Sequence, residues 1–295
     1  MRVFVTGATG FVGTAVVNEL IDAGHSVLGL ARTDEGAERL AAVGAEAHRG
    51  SLDDLTSLRR GIAHADGVIH TAFNHDFSTY AANCEADRQV IAAMGAELAG
   101  SDRPLLVTTG MTLLGNQGGV GTEEDAPVPS SAGVPRSASE EAAAALAQQG
   151  VHACVVRLPQ VHDPFKQGLI TYLIALAREK GTVAYMDEGA NRWPAVHVLD
   201  AACLYRLVLE QGVRGARYHA VGEQGVALKA IAESIGRGLD LPVVSVPAAS
   251  AQQHFGWLAR FAGMDSPASS ALTQQRLGWR PVEATLIADL DRAQF

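Results

Sequence analysis

The stretch Val3-Phe4-Val5-Thr6-Gly7-Ala8-Thr9-Gly10-Phe11-Val12-Gly13 decides how the rest of the chain is read. Val3, Phe4 and Val5 are a short apolar run of β-formers and predict a buried strand. Gly7, Gly10 and Gly13 are spaced to allow a sharp turn, bare backbone for a phosphate and close packing of the next helix. A helix opening at Phe11 turns unpaired N–H groups and the positive end of its dipole towards a pyrophosphate. Spaced glycines also mark ordinary loops. Here strand, turn and helix come in the required order within about thirty residues, which predicts a dinucleotide site. Its candidate residues are Gly7, Thr9, Gly10, Phe11, Val12 and Gly13.

The next strand, residues 26–31, ends beside Arg32. At this point an acidic residue binds the ribose hydroxyls of NAD, whereas an arginine accommodates the 2′-phosphate of NADP. Ala31 is not acidic, and Arg32 and Thr33 offer donors, so NADP is expected, with NAD possible. Asp34 opposes that reading, and a solvated strand-end charge is the plain alternative for Arg32. Helices are expected at 35–43 and 52–63, with Asp53 and Asp54 in the first turn of the second, and a short strand at 45–48. A strand at 67–72 ends on Thr71, Ala72 and Phe73, which should face the cofactor because ligands bind outside the carboxyl ends of parallel strands. Asn74, His75 and Asp76 then either line a pocket or cap a long helix at 77–98.

A further strand, 104–109, runs into a glycine- and proline-rich connection, 110–136, that carries Glu123, Glu124 and Asp125. A connection this long reads as a lid or binding loop, and Gly118, Gly119 and Gly121 suggest mobility. An alanine-rich helix at 139–149 and a strand at 153–157 follow. Strands and helices alternating in this way predict an α/β, Rossmann-type doubly wound parallel sheet over residues 1–157. From 158 the texture changes, and residues 158–295 read as a smaller substrate-binding lobe interleaved with the last strands of the sheet.

Bulk properties narrow the function classes. The chain has 295 residues, 47% hydrophobic and 19% charged, as in an ordinary globular protein. A net charge of -9 argues against nonspecific nucleic-acid or anionic-membrane binding. Cys84, Cys154 and Cys203 show neither a disulfide framework nor metal-ligand spacing, so no metal is expected. No apolar run approaches membrane length, and the first strand leaves little room for a targeting segment, so a cytoplasmic protein is expected.

Three motifs in order resemble the extended and atypical short-chain dehydrogenase/reductase superfamily, in its epimerase/dehydratase-like group. Residues 6–13 are similar to its TGxxGxxG signature, residues 197–202 to its HVxDxA segment, and residues 277–281 to its LGWxP motif. The resemblance implies a serine or threonine after the fifth strand, a catalytic tyrosine, and a lysine four residues later. Here Gly110 holds the serine position, flanked by Thr108, Thr109 and Thr112, of which Thr109 and Thr112 can polarise a substrate carbonyl by hydrogen bonding, while Arg136 replaces the tyrosine and Glu140 the lysine. An arginine is no general acid at neutral pH, yet it can stabilise an alkoxide or hold an anion. Glu140 can accept hydrogen bonds from the nicotinamide ribose. Alternatively, Arg136 and Glu140 are a solvated pair four residues apart. His162 and His75 are the candidate proton donors, with relayed water as the alternative. The resemblance also sets Ser51 where relatives carry an acidic adenine ligand, with Leu52 covering the ring, and includes Pro159 among the cofactor-binding residues.

These readings lead to an NADP(H)-dependent oxidoreductase, of carbonyl reductase or alcohol dehydrogenase type, acting on a small and largely apolar molecule. A noncatalytic NADP(H)-binding sensor is the first alternative, favoured by the missing tyrosine and lysine. A sugar-nucleotide epimerase or dehydratase is the second, and the missing tyrosine counts against it more heavily. A homodimer is a family expectation.

Overall fold

The computed structural model describes residues 1–115 and 118–294. Its first half alternates strictly. Strand β1 (Arg2–Thr6) leads to α1 (Phe11–Asp22), β2 (Ser26–Ala31), α2 (Asp34–Ala42), β3 (Glu46–Arg49), α3 (Leu55–Ala63) and β4 (Gly67–His70). Then come α4 (Tyr80–Leu98), β5 (Leu105–Gly110), α5 (Ser137–Gln148) and β6 (Ala153–Leu158).

The second half contains β7 (Gln160–His162), α6 (Ile170–Lys180), β8 (Val183–Met186), β9 (Arg192–His197), α7 (Val198–Gln211) and β10 (Arg217–His219). It continues with β11 (Glu223–Ala227), α8 (Leu228–Leu239), β12 (Val243–Val246), α9 (Ala251–Phe255), α10 (Ala259–Ala262), α11 (Ala271–Leu277) and α12 (Leu286–Arg292).

Seven parallel strands form the main sheet in the order β10-β6-β5-β4-β1-β2-β3. This is a Rossmann-type doubly wound α/β sheet. Both faces are covered, which is why β1 is a continuous apolar run rather than an alternating one. Val3 and Val5 pack with Val16 and Leu20 of α1 and with Tyr205 and Val208 of α7. Phe4, on the opposite face, packs with Leu58 and Ile62 of α3, Ile91 and Met94 of α4, and Leu146 of α5. The second half returns α7 and β10 to this sheet and builds a separate core around Ile170, Trp193, Ile231 and Leu286, flanked by the small sheets β11-β9-β7 and β12-β8.

Two of the motif segments explain one another. The Asp200 carboxylate accepts from the Val282 and Glu283 amides at 3.0 Å each, and the Trp279 indole donates to the Asp200 carbonyl at 3.0 Å. The start of α7 is thereby tied to the turn before α12.

Several boundaries differ from the sequence reading. Helix α3 starts at Leu55, with Asp54 outside it as the N-cap, accepting from the Ser57 amide at 2.9 Å. Strand β4 ends at His70, so Thr71, Ala72 and Phe73 lie in the loop beyond it. The helix expected from residue 77 begins as a single 3₁₀ turn, Phe77–Thr79.

The larger correction concerns the connection 110–136, of which residues 116–117 lie outside the described residues. From Gly121 onward it is anchored, whereas a Cβ at Gly118 or Gly119 would meet nothing within 4 Å. Gly121 pairs with Ala268 in an isolated parallel bridge. Buried Glu123 accepts from the Thr273 amide and hydroxyl at 2.7 Å each. The Val128 amide donates to the Leu113 carbonyl at 2.8 Å, and the Asp125 carbonyl accepts from Arg157 at 2.9 Å. At Gly121 the missing side chain serves packing, since a Cβ there would lie 2.6 Å from a Leu114 methyl. Among the described residues no helix is long and apolar enough to cross a membrane, and no three His, Cys, Asp or Glu side chains cluster to hold a metal.

Candidate active site

The strand order reverses between β1 and β4, and a doubly wound sheet opens its ligand crevice there. The glycine turn leaves β1 at this point. Gly7 has a φ of +67°, and a Cβ there would lie 2.7 Å from both the Ala72 amide nitrogen and the Thr71 hydroxyl. At Gly13 a Cβ would lie 2.0 Å from the Gly7 carbonyl oxygen, so only glycine lets α1 pack this close. Thr71 donates its hydroxyl to the Thr6 carbonyl at 2.7 Å, which pins the loop after β4 against the turn.

Helix α1 has no side-chain cap and no acidic residue in its first turn, whereas α2 is capped by Thr33 and begins with Asp34 and Glu35. The N–H groups of Phe11, Val12 and Gly13 are therefore left for an external anion. The residues fit a pyrophosphate: the turn is bare, Gly10 is exposed, and Thr9, Phe11 and Val12 are half-buried at its edge. Lys166, which spacing could not single out, reaches from the second half of the chain to within 5.5 Å of the Phe11 ring centroid.

At the adenosine end Arg32 is exposed just past β2. Residue Arg49, not anticipated, stands beside it, because the β2–β3 register pairs Ala31 with Arg49. Its guanidinium lies 3.1 Å from the Asp34 carboxylate and donates to the Ala31 carbonyl at 3.5 Å. Asp34, which seemed to oppose a 2′-phosphate, thus has a second arginine at ion-pair distance on the exposed surface. Ser51 and Leu52 are half-buried in the connection to α3, with Leu52 packed against the core face of Phe4 and Leu30.

The other end of the crevice differs more from expectation. Arg136, at the N-cap of α5, donates to an Asp87 oxygen at 2.7 Å and to the Thr108 carbonyl at 3.0 Å, and it also bonds the Ser139 hydroxyl. Its guanidinium carbon sits 3.9 Å above the Phe73 ring. Asp87 accepts in turn from Ser139 at 2.5 Å and pairs through its other oxygen with His70 Nε2 at 2.9 Å. His70 Nδ1 lies 2.7 Å from the Thr6 hydroxyl. Burial alone would raise the Asp87 carboxyl, but His70, Arg136 and Ser139 outweigh it and hold the group well below the usual carboxylate range. One buried chain therefore joins the residue before the glycine turn to Arg136. Its only sequence signal is a carboxylate on the buried face of α4.

Three expectations are corrected. Glu140 is neither a solvated partner of Arg136 nor a free ribose acceptor. It is 1% exposed, and its oxygens take hydrogen bonds from Arg157 at 2.5 and 3.0 Å and from Arg217 at 2.7 Å. Thr109 is buried and turns its hydroxyl towards Glu140 at 3.4 Å, so it does not polarise a substrate in the crevice. His162 is fully buried with its Nδ1 2.7 Å from Asp289 of α12, inside the second half rather than at a pocket rim. Burial outweighs Asp289 and holds that imidazole below its ordinary value. Thr112 and Pro159 remain half-buried past the ends of β5 and β6.

The model of the NAD dependent epimerase/dehydratase family matches residues 3–221. An uncharacterized protein of Schizosaccharomyces pombe is 47% identical over 292 residues, covering 98% of both chains. A 4-hydroxy-2-methyl-3-oxo-4-farnesyl-3,4-dihydroquinoline-1-oxide ketoreductase of Stigmatella aurantiaca is 27% identical, over 87% of this chain and 80% of its own length. Among solved structures, the dTDP-glucose 4,6-dehydratase DesIV of Streptomyces venezuelae, determined with NAD bound, superposes with a TM-score of 0.79. It is 20% identical and covers 100% of this chain and 96% of its own, so the likeness is one of fold. With its family model spanning β1 to β10 and its glycine turn in place, the chain belongs to the NAD dependent epimerase/dehydratase family, of the extended short-chain dehydrogenase/reductase type.

Proposed function

We propose that the protein is an NADP(H)-dependent oxidoreductase that interconverts a carbonyl and an alcohol on a small molecule. The observation that carries this reading is the uncapped α1 N-terminus at the switch point, flanked by two arginines where a 2′-phosphate would lie. Bound NADPH would supply the hydride. Gly7, Gly10, Phe11, Val12 and Gly13 would hold its pyrophosphate, with Lys166 nearby, and Arg32 and Arg49 its 2′-phosphate. Thr71, Ala72 and Phe73 flank the path to the reactive end, and Thr112 offers a hydroxyl there.

Arg136 orients Phe73 rather than donating a proton. Its charge is offset by Asp87, so it contributes less to an alkoxide than an unpaired cation would. Tyr80 offers a phenol on this side of the crevice, its ring centroid 6.1 Å from that of Phe73. Burial pushes that phenol up to about 12, so it can hydrogen-bond a carbonyl oxygen but is a weaker acid than a free tyrosine. The ketoreductase name of one relative agrees with this chemistry. Epimerase or dehydratase chemistry on a sugar nucleotide is less favoured, because the tyrosine base it needs is Arg136 here.

A noncatalytic sensor has one observation on its side: the residues replacing tyrosine and lysine are both spent on internal ion pairs. One experiment separates the readings. NADPH and NADH are titrated by calorimetry, and NADPH oxidation is then followed across a panel of ketones and aldehydes. Tighter NADPH binding with turnover supports the oxidoreductase; tight binding without turnover across the panel replaces it with the sensor.

A further inference from the structure

The chain is poor in aromatic residues, at 5%, and the few in its sheet cores, Phe4, Tyr205, Tyr218 and Trp279, are buried among aliphatic side chains. Yet Phe73, Phe77, Tyr80, Tyr172, Trp257 and Phe261 gather into one group. Among the described residues, every contact between two Phe, Tyr or Trp rings falls within it. The series starts at the Arg136 guanidinium over Phe73 and passes to Tyr80 at 6.1 Å and Phe77 at a further 5.6 Å. Phe77 stacks on Trp257 at 4.7 Å with 25° between the planes, and Trp257 meets Tyr172 edge-on at 5.2 Å.

None of these rings is buried: Trp257 is 45% exposed and Tyr172 44%. Phe73, Phe77, Tyr80 and Phe261 are half-buried beneath these two, and an aromatic group left open to solvent on one side has a face available for binding. The group spans the two halves of the chain. Phe73, Phe77 and Tyr80 follow β4 at the carboxyl end of the sheet, while Tyr172, Trp257 and Phe261 come from α6 and the α9–α10 region. A surface placed at the switch-point crevice, with its inner end on the residue that replaces the family tyrosine, is placed for a small molecule.

We propose that these rings form one wall of the substrate site, and that the molecule they take is a carbonyl compound built on a planar, conjugated and apolar ring system. The inference rests on the oxidoreductase reading for the carbonyl, and on the wall alone for the planar body. Offset-stacked and edge-to-face contacts reward a flat π-system over a saturated one of equal carbon skeleton.

The test compares 1-(naphthalen-2-yl)ethanone with 1-(decahydronaphthalen-2-yl)ethanone, the same skeleton saturated, by calorimetry in the presence of NADP⁺, where no reduction occurs. The planar ketone should bind about 10-fold more tightly, and the preference should fall towards unity in both Trp257→Leu and Phe77→Leu. Trp193 and Trp279 are buried, so quenching of the exposed Trp257 fluorescence reports where the ketone sits. Equal affinities for the two ketones overturn the proposal. So does concentration-dependent Trp257 quenching without any ketone, which assigns the patch to a second copy of the chain. Turnover of both ketones with equal affinity would remove the wall and keep the oxidoreductase; planar preference without NADPH-driven turnover would do the reverse.

Discussion

The glycine turn and the floor around Arg136 border one crevice, yet they are finished in opposite ways. At the turn the first N–H groups of α1 have neither a side-chain cap nor a neighbouring carboxylate, although α2 and α3 are both capped. Around Arg136 and Glu140 the charges find partners inside the protein. Open hydrogen-bonding capacity is met by water or by a ligand; α6 and α8 also begin without a side-chain cap or an acidic residue, and what sets α1 apart is the bare glycine turn at the switch point. At the closed end Arg136 and Glu140 are held by internal partners, and on the proposal above substrate contacts fall to the aromatic rings beyond Phe73.

The largest effect should come from breaking the closed end. Glu140 meets both Arg157 and Arg217, so Glu140→Ala leaves a buried guanidinium uncompensated. Stability in urea should drop by about 3–5 kcal/mol. NADPH affinity, measured where the variant is still folded, should hardly change. Weaker cofactor binding at unaltered stability would restore Glu140 as a ribose ligand and blur the contrast between the two ends.

At the open end Gly13→Ala should act mainly on the ligand. Its Cβ would lie 2.0 Å from the Gly7 carbonyl oxygen and must push α1 away from the turn. We expect NADPH affinity to fall by about 100-fold, or ~2.7 kcal/mol, in calorimetric titration. Gly10→Ala meets the Gly7 oxygen at 3.2 Å and should leave the fold intact. Wild-type affinity in Gly13→Ala would mean that the turn does not hold the pyrophosphate.

The first half of the fold was legible because its signals are local. Val3–Val5, the glycines and the strand–helix alternation each fall within about thirty residues, and β2 has the bounds read from sequence. Arg49 was missed because its place beside Arg32 depends on strand register, which the chain does not spell out. Glu140 and Arg157 were missed as a pair because a buried ion pair joins residues whose type alone predicts exposure. The connection 110–136 misled through its glycines, which here serve close packing as well as turning. His162 misled for a related reason: its partner Asp289 lies 127 residues further on.

The closed end should also set the response to acid. His219 uses both ring nitrogens, one 3.1 Å from Arg157 and the other accepted by the Ser269 carbonyl at 2.8 Å. Burial, then the Arg157 charge, lowers its pKa from 6.5 to about 3. Between those values the unfolded chain binds the proton and the folded one does not. Stability should therefore fall as pH drops below about 6.5, by up to ~1.4 kcal/mol per pH unit for this group. Urea denaturation at pH 6.5, 6.0, 5.5 and 5.0 measures the slope, which His219→Asn should reduce by about one proton. An unchanged slope would mean that His219 protonates in the fold.

The smallest effect, and the one that best sharpens the open end, concerns Arg32 and Arg49. Both stand at the edge of the crevice, where solvent and salt screen their charges. Arg32→Ser should weaken NADPH about 10-fold, ~1.4 kcal/mol, and leave NADH unchanged. Arg49→Ser removes a guanidinium and at the same time frees Asp34, 3.1 Å away, to repel a phosphate or to accept from ribose hydroxyls. It should lower NADPH affinity and raise that for NADH, and adding Asp34→Asn should cancel the gain for NADH while restoring part of the NADPH affinity. Titrations in low and high salt check the cycle, since the NADPH losses should shrink as salt rises. If the unsubstituted protein binds both cofactors equally, the two arginines are surface charges, and the open end reads the pyrophosphate alone.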